Sequence, residues 1–257
     1  MPLVKPLARL AFAIAALYGI FFALGKIGNP YIDDVPDQGA LRSAINPAPA
    51  TPATPTTTPP PLPPGFPSME FPPPKIDVPK GEPQPIATKF GLTYSIPPEW
   101  ENESTAIIGW STPTGPVTFS SAGEAGLGYC QDNKDARLGV SGASGRNGIS
   151  IDEAALDAVH AAEQIFAEGD GRQATVRYNG PVNMTVSGRP AVRYTAVVTD
   201  IPGDRPCGPP SAHYDIVATE GYSTAQVMIL MVESHRGLPD SPEQSEIDGI
   251  VASLRRS

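Results

Sequence analysis

Three histidines, His160, His213 and His235, are the side chains whose ordinary charge change falls near neutral pH. No pair of them has a metal-binding spacing such as H-x-x-x-H, so each reads as a surface or hydrogen-bonded histidine. Carboxylates offer more. Glu99, Glu101 and Glu103 surround Trp100, and acids beside an indole would suit the rim of a sugar site, where paired carboxylates do acid and base work. The competing reading is a solvated turn. Asp200-Ile201-Pro202-Gly203-Asp204 presents oxygens that a calcium ion would accept, but the spacing matches no familiar loop, and the stretch reads as a hairpin connection.

Gly139-Val140-Ser141-Gly142-Ala143 approaches the nucleophile-elbow pattern without its final glycine or a following helix, and reads as a turn. Gly123–Gly128 lacks the strand and helix that a dinucleotide fingerprint needs on either side. Walker, Cys-x-x-Cys, EF-hand and zincin patterns do not occur. The inventory therefore implies no cofactor, no metal and no catalytic set. Glu99, Trp100 and Glu101 are left as a candidate binding rim.

The elements that would carry these residues lie in the last two thirds of the chain. Leu92, Tyr94 and Ile96 alternate with Thr93 and Ser95 as in a half-buried strand, which Pro97-Pro98 ends. Trp100 follows where a large ring would cover one end of a core. Further strands are expected over Ala106–Trp110, Val117–Ser121 and Leu138–Ser141. Ser150-Ile151-Asp152-Glu153 is a capping box, and Ile151, Ala155, Val159, Ala162 and Phe166 form one helical face that stops before Gly169. Strands are then expected over Ala174–Tyr178, Val182–Val186, Ala191–Thr199, His213–Thr219 and Thr224–Glu233. Val227–Val232 (VMILMV) is apolar throughout, as in a central strand covered on both faces. Ser241-Pro242-Glu243-Gln244 reads as a second capping box with proline at the first helical position, and Ile247, Ile250, Val251 and Leu254 form the stripe of a last helix. This order predicts one α+β domain with a mainly antiparallel sheet and two amphipathic helices.

The rest of the chain cannot fold in that way. Sixteen of the 32 prolines fall between Pro47 and Pro85, a stretch without the apolar residues or backbone donors that a core requires. It reads as a disordered polyproline II spacer, with aromatic-groove binding or O-glycosylation as less economical alternatives. Before it, Leu10–Gly25 (LAFAIAALYGIFFALG) is uninterrupted apolar sequence between Arg9 and Lys26. As a helix it spans roughly 24 Å, short of a ~30 Å hydrocarbon core unless Ile27 and the Arg9 and Lys26 stems extend it. An uncleaved anchor is the preferred reading over a signal peptide cut near Gly25. Lys5 and Arg9 on one side, with Asp33, Asp34 and Asp37 beyond Lys26, place the N-terminus in the cytoplasm and the remainder outside. The expected organisation is a cytoplasmic segment 1–9, a transmembrane anchor 10–27, a Pro/Thr-rich linker 28–86 and an extracytoplasmic domain 87–257.

The net charge of −9 falls on that domain, since residues 1–86 hold six acidic and six basic side chains. An acidic head without a basic stripe argues against nucleic acid and anionic lipid as partners, solubility being the plain reason for its charge, while the anchor, spacer and compact head point to an envelope protein or wall polymer. Its two cysteines, Cys130 and Cys207, are too few for a closed zinc site and, in an exported domain, are most simply a disulfide; two separate buried thiols are the alternative.

Gly91–Trp100, a strand followed by Pro-x-x-Trp, and the closing Ile247–Arg255 (IDGIVASLR) resemble the Mog1/PsbP-like fold. Tyr129-Cys130, the helix after Ser150, Pro206-Cys207-Gly208-Pro209 and Ser253-Leu254-Arg255 resemble an uncharacterised domain family of actinobacterial membrane-anchored proteins. The likeness covers about Phe90–Ser257, and implies an extracytoplasmic α+β domain without assigned catalytic residues.

Overall fold

The structure, a computed structural model, describes residues 62–63, 65–168, 171–203 and 207–257. All belong to one compact unit, Thr56–Ser257. The expected anchor Leu10–Gly25 and most of the low-complexity Pro47–Pro64 stretch lie outside the described residues. Among the described residues no helix is long and apolar enough to cross a membrane.

Among the described residues, ten strands and three helical segments follow in the order β1 (Gln84–Ala87), β2 (Leu92–Ile96), β3 (Glu101–Thr112), β4 (Gly115–Ala125), β5 (Gly139–Arg146), α1 (Ile151–His160), the single turn α2 (Ala162–Ile165), β6 (Thr175–Val186), β7 (Arg189–Thr199), β8 (Ser211–Glu220), β9 (Val227–Arg236), α3 (Gln244–Ala252) and β10 (Arg255–Arg256). Seven strands make one antiparallel sheet in the order β3-β4-β5-β9-β8-β7-β6, and β1-β2-β10 make a small second sheet. The chain is thus α+β with a mainly antiparallel sheet and two principal helices, as its hydrophobic patterning predicts.

The reason is clearest in β9. Val227, Ile229 and Met231 join one buried cluster, whereas Met228, Leu230 and Val232 join another. Successive side chains of a strand point to opposite faces, so an unbroken apolar run demands cover on both. The first cover is α1, whose Ala154, Ala155, Ala158 and Val159 are buried with sheet residues such as Ala196, Tyr214 and Ile216. The second combines β2 with α3, through Leu92, Tyr94, Ile96, Ile247, Ile250, Val251 and Leu254.

Glycine-rich β5 takes up the strand expected over Leu138–Ser141 and continues it to Arg146, so Gly139–Ala143 is not the turn that its near-elbow pattern suggests. Its missing side chains make room for large neighbours: a Cβ at Gly142 would stand 2.8 Å from Phe119 Cβ, and one at Gly145 only 2.6 Å from the Phe90 ring. Two expected strands merge into β6, which stays paired with β7 on both sides of the register shift between Asn179 and Val182. Ser150 caps α1 as expected, its hydroxyl accepting from the Glu153 N–H at 3.2 Å while the Glu153 carboxylate accepts from the Ser150 N–H. The last helix begins later than expected. Its N-cap is Glu243, whose N–H donates to the Glu246 carboxylate at 2.5 Å, because the Pro242 carbonyl is taken by the Arg236 guanidinium at 2.6 Å.

The end of the expected linker is also fastened to the fold. Thr224 donates its N–H to the Pro67 carbonyl at 2.8 Å, and its hydroxyl accepts from the Met69 N–H at 2.8 Å. Prolines lack an N–H but keep a carbonyl, which explains how a proline-rich segment docks on the β8–β9 connection as an acceptor. Strand β1 starts at Gln84, three residues before the expected boundary.

Candidate ligand cleft

Glutamate 233 continues the apolar run of β9, on the same face as Ile229 and Met231. Pairing sets it opposite Val140 of β5 and Tyr214 of β8, and Val140 is in turn opposite Glu124 of β4. Two residues on, the same alternation brings His235 to that face. Glu233 and His235 line a cleft of about 580 Å³ at this end of the sheet. Its other walls are the Tyr129–Arg137 loop after β4, the residues after α2 from Ile165 to Glu168, and the β7–β8 connection with Ile201, Pro202 and Cys207. Trp110 of β3 closes one side, its ring edge-on to Tyr214 with centroids 6.5 Å apart.

The Cys130–Cys207 disulfide joins two of these walls, with Cα atoms 5.7 Å apart across 77 residues of sequence. Beside it the Tyr129 hydroxyl donates to the Cys207 carbonyl, and burial raises that phenol above its ordinary pKa. The expected disulfide is therefore present, and it frames the cleft as well as closing a long loop.

Charges in the cleft are unevenly satisfied. Arg137 holds Glu124 Oε1 at 2.5 Å, and the Glu124 side chain is largely buried. Glu233, 4% exposed, receives one hydrogen bond, from His235 Nε2 to Oε1 at 3.0 Å. Its Oε2 has no protein partner, nor has His235 Nδ1, nor the Tyr214 hydroxyl. Burial, reinforced by the Glu233 charge, pushes the Tyr214 phenol far above its ordinary value and keeps it neutral. An unpaired buried polar group costs about 1–3 kcal/mol, and two of these three atoms, Glu233 Oε2 and His235 Nδ1, belong to residues that line the cleft.

The residues singled out in the sequence are dispersed by comparison. Trp100 is 3% exposed and packs over Gly139, so its ring is a core element and offers no face to a sugar. Glu99 and Glu101 are exposed on either side of it, outside the cleft; Glu246, near Glu99, is raised in pKa by burial and in part by the Glu99 charge. His160 stacks on Tyr178 with centroids 4.6 Å apart, and His213 Nδ1 lies 3.0 Å from Gln244 Oε1. Among the described residues no three His, Cys, Asp or Glu side chains are grouped to hold a metal. Sequence reading passed over Glu233, although it had a signal: a glutamate placed where the pattern of a doubly covered strand calls for an apolar side chain.

Fold and cleft together define a disulfide-framed α+β domain with an acidic groove beside the end of its main sheet. The chain belongs to the family described as Domain of unknown function (DUF8017), whose sequence pattern matches residues 77–257. No curated protein matches it.

Proposed function

We propose that the protein is a membrane-tethered binding module of the cell envelope, with the acidic domain outside the membrane and the Cys130–Cys207 cleft as its binding site. The observation that carries the reading is the buried Glu233 carboxylate, whose Oε2 is left without a protein partner at the floor of a cleft. The lining carboxylates, His235 and Tyr129 supply polar groups that hold a ligand by hydrogen bonds and charge. The apolar Leu10–Gly25 segment, its basic flank and the proline-rich stretch support the tether. The disulfide supports an oxidising compartment. The motifs Gly91–Trp100 and Ile247–Arg255 support a Mog1/PsbP-like fold, and Tyr129-Cys130, Pro206-Cys207-Gly208-Pro209 and Ser253-Leu254-Arg255 support an actinobacterial membrane-anchored group. A partner in this setting is an envelope protein or wall polymer.

Topology is tested with the exposed Val182 of β6, 58% accessible. In intact cells a membrane-impermeant maleimide should label V182C, and the labelled protein should stay in the membrane after carbonate washing. Labelling only after lysis, or release into the medium, would place the domain elsewhere.

A further inference from the structure

The cleft's chemistry specifies its guest further, on the premise that the cleft is a binding site. With Glu233 ionised, its carboxylate only accepts hydrogen bonds, and the hydrogen shared with His235 then sits on Nε2. In the neutral ring Nδ1 is then also an acceptor. The two unpartnered atoms on cleft-lining residues, Glu233 Oε2 and His235 Nδ1, are therefore acceptors. What completes this set is a donor.

The surroundings give that donor a charge. Asp132, Asp135 and Glu233 line the cleft, against Arg137 as the guanidinium among the described lining residues, and Arg137 is itself held by Glu124. Low-dielectric walls concentrate such a field and favour a cation. Trp110, Ile165 and Phe166 add apolar surface that would cover an aliphatic stem. A primary ammonium carries three donors on a compact tip, whereas a planar guanidinium needs a wider, bidentate acceptor.

We propose that the cleft binds a primary ammonium group borne on an aliphatic arm, with Glu233 Oε2 as the anchoring acceptor, His235 Nδ1 as the second acceptor, and the rim acids Asp132 and Asp135 steering the cation inward.

The test is calorimetric titration of the full chain in detergent with Nα-acetyl-lysine methylamide, using Nα-acetyl-norleucine methylamide as the uncharged control. The lysine probe should bind saturably and the norleucine probe should not. E233Q, close to isosteric, should weaken binding by about tenfold or more, the scale of a lost charge-assisted hydrogen bond. Because a core variant can misfold, the exposed pair D132N/D135N supplies a second reading: affinity should fall, and the wild-type affinity should decline with salt. Equal binding of both probes, an unchanged affinity in folded E233Q, or no heat with the lysine probe because water alone fills the floor, would overturn the assignment. The two proposals fail separately. An envelope partner captured through the rim without lysine binding removes the ammonium and keeps the module; lysine binding without any envelope partner does the reverse.

Discussion

At the scale of single residues, a buried hydroxyl and an exposed carboxylate show how the chain places its hydrogen bonds. The Tyr94 hydroxyl, fully buried under the main sheet, donates to the Ser121 carbonyl and accepts from the Ser141 hydroxyl at 3.2 Å. Ser121 has a left-handed backbone, φ 56°, within the register shift of β4, so Tyr94 secures an irregular strand segment. Tyr94→Phe should lower stability by about 1–2 kcal/mol in chemical denaturation, through the lost bond and the stranded carbonyl. A change within error would show that Ser121 is held by other means. Asp248 offers a pH test. Burial raises its pKa, but hydrogen bonds from Arg193, 2.8 Å away, and Gln244 outweigh this and hold it below the ordinary value. A depressed folded-state pKa contributes stability that is present above the unfolded value of about 3.9 and is lost as pH falls through the folded value. D248N should therefore be less stable than wild type near neutrality, with the gap narrowing on acidification below about pH 4. A gap that stayed constant with pH would exclude this ion pair as its cause.

At the scale of elements, apolar periodicity revealed most of the fold. The capping box at Ser150, the alternating β2 and the doubly covered β9 each declare themselves because burial imposes a period on the side chains. Glycine-rich β5 showed only its first residues, in the strand expected over Leu138–Ser141, since the rest of its pattern depends on Phe119 and Phe90 filling the spaces above it from distant elements. The start of α3 was misplaced by two residues, because Ser-Pro-Glu satisfies the local capping rule while a tertiary bond from Arg236 to Pro242 decides the outcome. The cleft was the least legible feature. Its residues come from β3, β9, the loop after β4, the turn after α2 and the β7–β8 connection, and no local motif unites them. The Ser150 cap gives a local check: Ser150→Ala should cost about 1 kcal/mol and Ser150→Asp should restore most of it. Equal stabilities of wild type and Ser150→Ala would leave α1 held by its buried face alone.

For the whole molecule, the disulfide couples stability to the site. Closing 77 residues removes unfolded-state entropy worth roughly 4 kcal/mol in the loop model. The double variant C130S/C207S should lose stability on this scale in urea titrations. It should also loosen two walls of the cleft while leaving the α1 and α3 cores packed. On the proposed reading, the proline-rich stretch spaces this head from the membrane, and its bonded end at Pro67–Met69 is where the tether meets the domain. The central claim is that the head engages its partner through the cleft. It is tested by installing a photo-crosslinking residue in living cells either at the cleft rim, in place of Asp135, or on the small sheet, in place of Arg255. The account predicts a discrete adduct from position 135, diminished by E233Q, and none from position 255. No adduct at 135, or the same adduct at both positions, would contradict it.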